Sequence, residues 1–338
     1  VTQAIIDIGD APNDGTGDPL QTAFTKANAN FTELYAAGGG TATPPQGRLT
    51  LQMLTPVMTT TQAGKIIIYY TPYVGNQVPI YDGANMVMTT FAELVVAIAD
   101  SIKSPAAIGA SKVNDWFIWN DAGTIRVGHG PDWTSDTARS VGTALTMVNG
   151  ILLNNASITN GPAASRGTYV GTTRSNASSQ LDWIFGATAA NGTAGFFGVW
   201  NAYNRVDVAT RVGDTTDSWT YTTLTWRAAN NSATMRVSYV IGLSEDAVKA
   251  NYNALAFGNQ NSFAGIGVDA ITAFSGTSGQ GNTAGSTVSL QAFYNGYPGI
   301  GFHFVSAIEA SNGASSTFLG DNANSLFVQT GLLFELRM

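Results

Sequence analysis

The sequence predicts a mainly β protein: a short N-terminal helix that self-associates, followed by antiparallel β-sandwich or jelly-roll-like domains with one or two short helices. Three observations carry this. Short segments rich in Val, Ile, Tyr, Phe and Thr recur from Lys65 to the end, punctuated by Gly, Pro, Asn and Asp, as strands between turns are. Helices do not alternate with them, which favours antiparallel pairing. No fixed-period repeat is visible, which argues against a β-helix or a propeller. With 338 residues and 44% hydrophobic content the chain has material for a real core. The composition divides it into an attachment and oligomerisation segment (1–40), a linker (41–64), an intermediate β-rich domain (65–160) and a C-terminal β-sandwich domain (161–338).

The first element lies in "DGTGDPLQTAFTKANANFTELY", Asp14 to Tyr35. Asp18 is placed to cap a helix, Pro19 suits its first position, and Gln21 stands where the reciprocal partner of a capping box belongs. Leu20, Phe24, Ala27, Phe31 and Leu34 follow at spacings of four, three, four and three, and Tyr35 closes the run. That pattern fits a coiled-coil seam or an amphipathic helix packed on its own domain. The next stretch, "AAGGGTATPPQG", has linker composition, and a helix cut off by a linker must find burial in partners. The glycines ahead of the helix do not form a phosphate loop: Gly9, Gly15 and Gly17 have the wrong spacing, no lysine follows, and Asp10, Asp14 and Asp18 would repel an anion.

From Lys65, "KIIIYYTPY" and "VPIYDG" read as strands. A helix is expected over 91–102, with Thr90 and Glu93 as a capping box and Phe91, Leu94, Val95, Ile98 and Ile102 on one face. "WFIWNDAGTIRVGHG" is a hairpin turning at Asn120, Asp121 and Gly123. Beyond Gly161 come strand-like segments such as "TYVGTTR", "QLDWIFG", "RVDVATRV", "TMRVSYVIGL" and "GIGFHFVSAIEA". A short helix, "SEDAVKANYNAL", is expected among them, with Ser244 as cap and Glu245 and Asp246 in its first turn.

Composition excludes several functions. A net charge of −7 and a pI near 4.7, with scattered basic residues, argue against a nucleic-acid surface. Charged residues make up 11%, against roughly 25% in ordinary soluble domains. Such a surface is expected to be covered by partners or to present neutral hydrogen-bonding groups. With no cysteine there are no disulfides and no thiolate metal sites. No run of 18 apolar residues occurs and the N-terminus lacks a basic region ahead of an apolar stretch, so neither membrane insertion nor a secretory signal is expected.

Chemistry-bearing residues are sparse. His129 in "VGHGPDW" and His303 in "GFHFV" are far apart in sequence, and a structural role is expected for each, with no metal and no cofactor. No G-x-S-x-G or H-E-x-x-H pattern occurs. Glycoside cleavage needs two carboxylates, and Asp132 with Asp136, Asp214 with Asp217, and Glu309 are the candidates. They lie in or beside turn-like text, where Asp ordinarily serves the backbone. "GDTTDS" lacks the alternating ligands of a calcium loop. Of the seven tryptophans most belong to strands and are expected in the core; Trp133, on a loop beside Asp132 and His129, is the candidate for surface glycan contact.

Two segments resemble known proteins. "IGDAPNDGTGDPLQTAFTKANANFTELY" is similar to the N-terminal segment of many tail-fibre and other virion proteins of tailed bacteriophages. "YYTPYVGNQVPIYDG", "WNDAGTIRVGHGPDWTSDT" and "NGPAASRGTYVGTTRSN" resemble a region of structural proteins from alphaproteobacterial phages. The resemblance implies a virion component, commonly a homotrimeric fibre or spike, and with no catalytic pattern in the sequence a role without catalysis is expected. Its N-terminus would join other virion proteins and its distal part would meet a host receptor, a polysaccharide foremost. A virion-associated glycan depolymerase, or a decoration or adaptor protein of tail, neck or head, are the alternatives.

Overall fold

The computed structural model describes residues 4–11, 14–37, 42–187, 192–258, 261–282, 284–313, 315–321 and 329–338, with the backbone alone over 33–37. The protein is mainly β, with one α-helix, α1 (Leu20–Ala37), and several antiparallel sheets in a sandwich-like arrangement.

Three-stranded and two-stranded sheets open the body. Gly47–Thr50, Ile67–Pro72 and Leu94–Ala97 form the first, and Gln77–Tyr81 with Met86–Thr90 the second. A six-stranded middle sheet follows, ordered Thr124–Asp132, Val113–Asp121, Thr168–Arg174, Ile151–Asn154 and Leu145–Val148, with Val199–Asn201 also on Thr168–Arg174. That central strand is buried along its whole length. Its Gly171 is required by close approach, since a Cβ there would sit 2.3 Å from the Trp200 carbonyl oxygen.

Two larger sheets build the distal sandwich. The first is ordered Gln62–Lys65, Leu181–Ile184, Gly195–Phe197, Arg236–Ile241, Gly301–Ser311, Asn261–Val268 and Gly279–Asn282, with Arg227–Ala228 beside Gly301–Ser311. Gly195–Phe197 and Arg236–Ile241 run parallel; the other pairs of this sheet are antiparallel. The second sheet is ordered Asp207–Val212, Gly331–Arg337, Val248–Gly258, Ser316–Leu319 and Ser218–Tyr221, with Thr287–Gly296 on the other edge of Val248–Gly258. Its strands alternate cleanly: Val248, Ala250, Tyr252, Ala254 and Ala256 point inward between outward-facing residues, as a half-buried sheet demands. Phe197 and Tyr239 of the first sheet meet Phe334 of the second, with ring centroids 6.0 and 5.0 Å apart. Aromatic pairs of this kind dominate the burial energy of a sandwich core.

Both internal helices expected from the sequence are strands. Residues 94–97 pair with 67–70. Glu93 does not cap a helix but accepts hydrogen bonds from the Thr71 hydroxyl and the Leu54 amide, each at 2.6 Å. Residues 248–258 form a long strand, and the acidic pair before it, Glu245 and Asp246, binds the Arg205 guanidinium at 2.6 and 3.0 Å. In both places a cap-like acidic residue serves a distant partner, which local pattern does not reveal.

The expected linker, 41–64, is also largely structural. Gly47–Thr50 is buried throughout, and Gln62–Lys65 pairs with Leu181–Ile184. Arg48 is 2% exposed; its guanidinium donates to the carbonyl oxygens of Pro56, Asn204 and Met338, and burial pushes its pKa down to about 10. The boundary expected at Gly161 falls within the middle sheet, whose central strand lies beyond it. One continuous cluster of buried side chains runs from Leu49 to Met338.

Candidate functional site

The N-terminal unit is built by its aspartates. The Asp14 carboxylate accepts from the amides of Ala11 and Thr16, at 2.5 and 2.9 Å, and Asp7 accepts from the Gly9 amide at 2.9 Å. Gly9 has φ +77°, and a Cβ there would lie 2.6 Å from Asp14 Oδ1, so the turn needs glycine. Asp18 is used differently from expectation: its Oδ2 accepts from the Asp7 amide at 2.8 Å and from Lys26 Nζ at 2.6 Å. Asn30 holds both the amide and the carbonyl of Ala4, at 2.7 and 2.8 Å. The segment before the helix is therefore laced along α1.

This lacing leaves the apolar residues outside. Leu20, Phe24 and Phe31 are 75%, 62% and 57% exposed, Ile5 and Ile8 still more so, and Ala27 is half-buried. The side chains of Leu34 and Tyr35, the last of the expected seam, lie outside the described residues. Among the described residues, the large apolar side chains of the α1 stripe are thus open rather than covered by the β body, as those of a globular amphipathic helix would be.

Lys26, with the Asp7 amide second, holds the Asp18 carboxyl below its ordinary value of 3.8. A lowered carboxyl contributes its stabilisation above the unfolded value and loses it as pH falls through the folded one. Acidifying from pH 4 to about pH 2 is thus expected to release the arm from α1, seen as faster hydrogen exchange at the Asp7 amide while the sandwich strands stay protected.

The expected glycan cluster is not assembled at the surface. Trp133 is 5% exposed, and the Arg139 guanidinium lies over its ring at 4.3 Å. His129 is 3% exposed; its Nδ1–H donates to the Gly130 carbonyl at 2.8 Å, its ring meets the Trp116 ring at 5.4 Å, and burial pushes its pKa down. Asp132 alone of the three is exposed, held by Asn114 Nδ2 at 2.9 Å. The glycines of "VGHGPDW" belong to the strand Thr124–Asp132, not to a loop. A Cβ at Gly128 would lie 2.8 Å from the Lys103 carbonyl oxygen, so tight packing requires that glycine.

Behind Trp133 lies a buried polar network. Asp115 accepts from Arg139 Nε at 2.8 Å, Arg139 Nη2 at 3.0 Å and the Thr172 hydroxyl at 2.7 Å. Burial acts against the Arg139 charge, but Asp115 outweighs it and raises the guanidinium pKa.

The carboxylates considered for hydrolysis are similarly engaged. Asp136 forms a two-point pair with Arg174, both contacts at 3.1 Å. Asp214 accepts from the Thr216 amide, Asn230 Nδ2 and the Thr234 hydroxyl. Asp217 forms interactions of its own. Glu309 is fully buried; burial pushes its carboxyl up, against the pull of Trp219 Nε1–H at 2.6 Å, the Arg227 guanidinium at 2.7 Å and the Asn230 amide at 3.2 Å. His303 is 3% exposed, with its ring nitrogens facing Asp269 Oδ2 at 2.7 Å and the Ile300 carbonyl at 3.2 Å. Four surface grooves each carry a single carboxylate in their walls: Asp100, Glu335, Asp82 and Asp207. None of these four presents the facing carboxyl pair that glycoside cleavage uses. Among the described residues no group of three or more His, Asp or Glu is placed to hold a metal ion.

No protein-family model matches the chain, and none of the curated proteins does. Among solved structures, a Bacillus thuringiensis Cry1Da tryptic core variant is 8% identical with a TM-score of 0.22, over 90% of this chain and 54% of that one. The structure of the infectious bursal disease virus Gx strain is 9% identical with a TM-score of 0.20, over 86% of this chain and 74% of that one. The chain thus spans about half the length of the first. Likeness at this level carries no inference about fold or function.

Sequence reasoning missed the outward face of the second distal sheet. Phe293 and Leu333, 48% and 50% exposed, flank Asn251 there. The alternation of "TVSLQAFYNG" and "GLLFELRM" shows which residues share a face, but only strand register brings the three together.

Proposed function

We propose that this chain is a structural virion protein, a fibre or spike of a tailed bacteriophage. It is held in place by its N-terminal arm and helix and meets the host surface with its β body. The observation that carries the reading is the exposure of Ile5, Ile8, Leu20, Phe24 and Phe31 on a unit whose backbone is already fastened by Asp7, Asp14, Asp18 and Asn30. Burying each such side chain is worth roughly 1.5–3 kcal/mol, a strong drive to associate with further copies and with neighbouring virion proteins. The resemblance of this segment to phage tail-fibre N-termini supports the same reading, as does a charge-poor composition suited to assembly.

A homotrimer around the α1 seam is the expected state. Replacing Phe24 and Phe31 together by serine is expected to convert it to monomer in light scattering, with the melting of the β body unchanged. A wild-type chain that runs as a monomer at micromolar concentration would overturn the reading. Host contact is tested by binding to whole cells of a fragment beginning at residue 42, because residues 47–50 and 62–65 are strands of the body. A fragment that does not bind, from a protein that still enters virions, would mark a decoration or adaptor component instead.

A further inference from the structure

We infer that the outward face of the second distal sheet, at Phe293, Asn251 and Leu333, is a non-catalytic binding slot for neutral sugar residues; this rests on the host-contacting role proposed above. Asn251 pairs with Phe293 on one side and with Leu333 on the other, so the three stand in one row across three adjacent strands. Strands lie about 4.7–4.9 Å apart, which puts the two apolar side chains about 10 Å apart with the carboxamide between them. The groove has a volume of about 380 Å³, and the small Ala209 stands beside Glu335 in its lining.

The lining selects a ligand class. Phe293 and Leu333 are half exposed at positions where neighbouring outward residues are polar, and they offer apolar walls to the C–H face of a sugar. Among the described residues, no protein group hydrogen-bonds the carboxamides of Asn251 or Asn295. Each carboxamide both donates and accepts, which matches a hydroxyl that does the same. The charged residues of the groove lining, Lys249 and Glu335, pair with each other at 2.8 Å, so the lining itself presents no unpaired charge; the exposed Arg211, opposite Leu333 on the next strand, stands beyond it. A concave, largely apolar site with a few convergent polar groups is the usual form of a small-ligand pocket. Trp133 and His129 are closed off in the core, whereas this slot is open.

The test is binding of the full-length protein to an array of purified bacterial O-antigen, capsular and exopolysaccharides, followed by calorimetry with the strongest neutral member. Phe293→Ala and Asn251→Ala are each expected to weaken binding at least tenfold. Val95→Ser, in a different groove, is expected to leave it unchanged. Because Phe293 and Asn251 face outward, circular dichroism of the variants should match wild type; Leu333→Ser provides a third, independent reduction. If neutral polysaccharides bind and none of the three variants weakens them, the slot is wrong while host glycan contact stands. If only polyanionic members bind, the neutral-ligand inference is overturned. If nothing on the array binds, both the slot and the glycan-contact reading fall.

Discussion

Replacing Glu309 by alanine is expected to cost about 3–5 kcal/mol of folding stability, the range seen when one member of a buried ion pair is removed. Glu309 belongs to Gly301–Ser311 of the first distal sheet, whereas Trp219 belongs to Ser218–Tyr221 of the second. The 2.6 Å bond between them is therefore a clasp across the sandwich, reinforced by stacking of Trp219 on Phe318 at 6.1 Å. Alanine would strand three donors together: the indole N–H, the Arg227 guanidinium and the Asn230 amide. The buried indole N–H would bear the full desolvation penalty, while Arg227, 27% exposed, and the half-buried Asn230 amide can turn in part to water; with three donors affected the loss should still exceed that of one ordinary hydrogen bond. Glu309→Gln keeps the shape and an acceptor oxygen but not the charge, and should fall between. Urea titration of the three proteins checks this; an alanine variant within about 1 kcal/mol of wild type would show that water enters and replaces the carboxylate.

Asp115→Ala should have an effect of similar size in the middle sheet. Asp115 is 1% exposed and is the acceptor for two guanidinium nitrogens and a hydroxyl. Without it Arg139 would remain over the Trp133 and Tyr169 rings, at 4.3 and 5.7 Å, with its charge uncompensated. A loss of about 3–5 kcal/mol is expected, again from a broken buried pair. Arg139→Lys is informative beside it, because lysine keeps the charge but loses the planar fork and the stacking. The segment 133–140 should become protease-sensitive in both variants, sooner in Asp115→Ala. Unchanged proteolysis there would mean that Trp133 is held by its apolar contacts alone.

Much of this architecture is legible in the sequence. The strands that alternate apolar and polar residues, and the helix opening after Pro19, follow from local chemistry. The failures share a cause. Glu93, Glu245 and Asp246 look like helix-capping residues, yet their partners are Thr71, Leu54 and Arg205, far away in the chain. Local text shows that an acidic residue needs a donor; it does not show which one. The same holds for Trp133: neighbouring glycines and aspartates suggested an open loop, but Arg139 folds back over the ring. Exposure on α1 was readable because the seam and the stretch after it are contiguous. The Phe293–Asn251–Leu333 row was not, since its members come from three strands whose alignment no single segment encodes.

The grip of Arg48 on the carbonyls of Asn204 and Met338 has a consequence for how the chain is made. The last of the three carbonyl acceptors of Arg48 lies 290 positions downstream, so its burial is fully compensated only when that residue arrives. During vectorial synthesis at about 5–20 residues per second, that wait lasts roughly 15 to 60 seconds. Through that interval the strands of the first sheet are already made and free to pair, while Arg48 still lacks one acceptor, so the tie between residues 48 and 338 closes after the sheet it fastens.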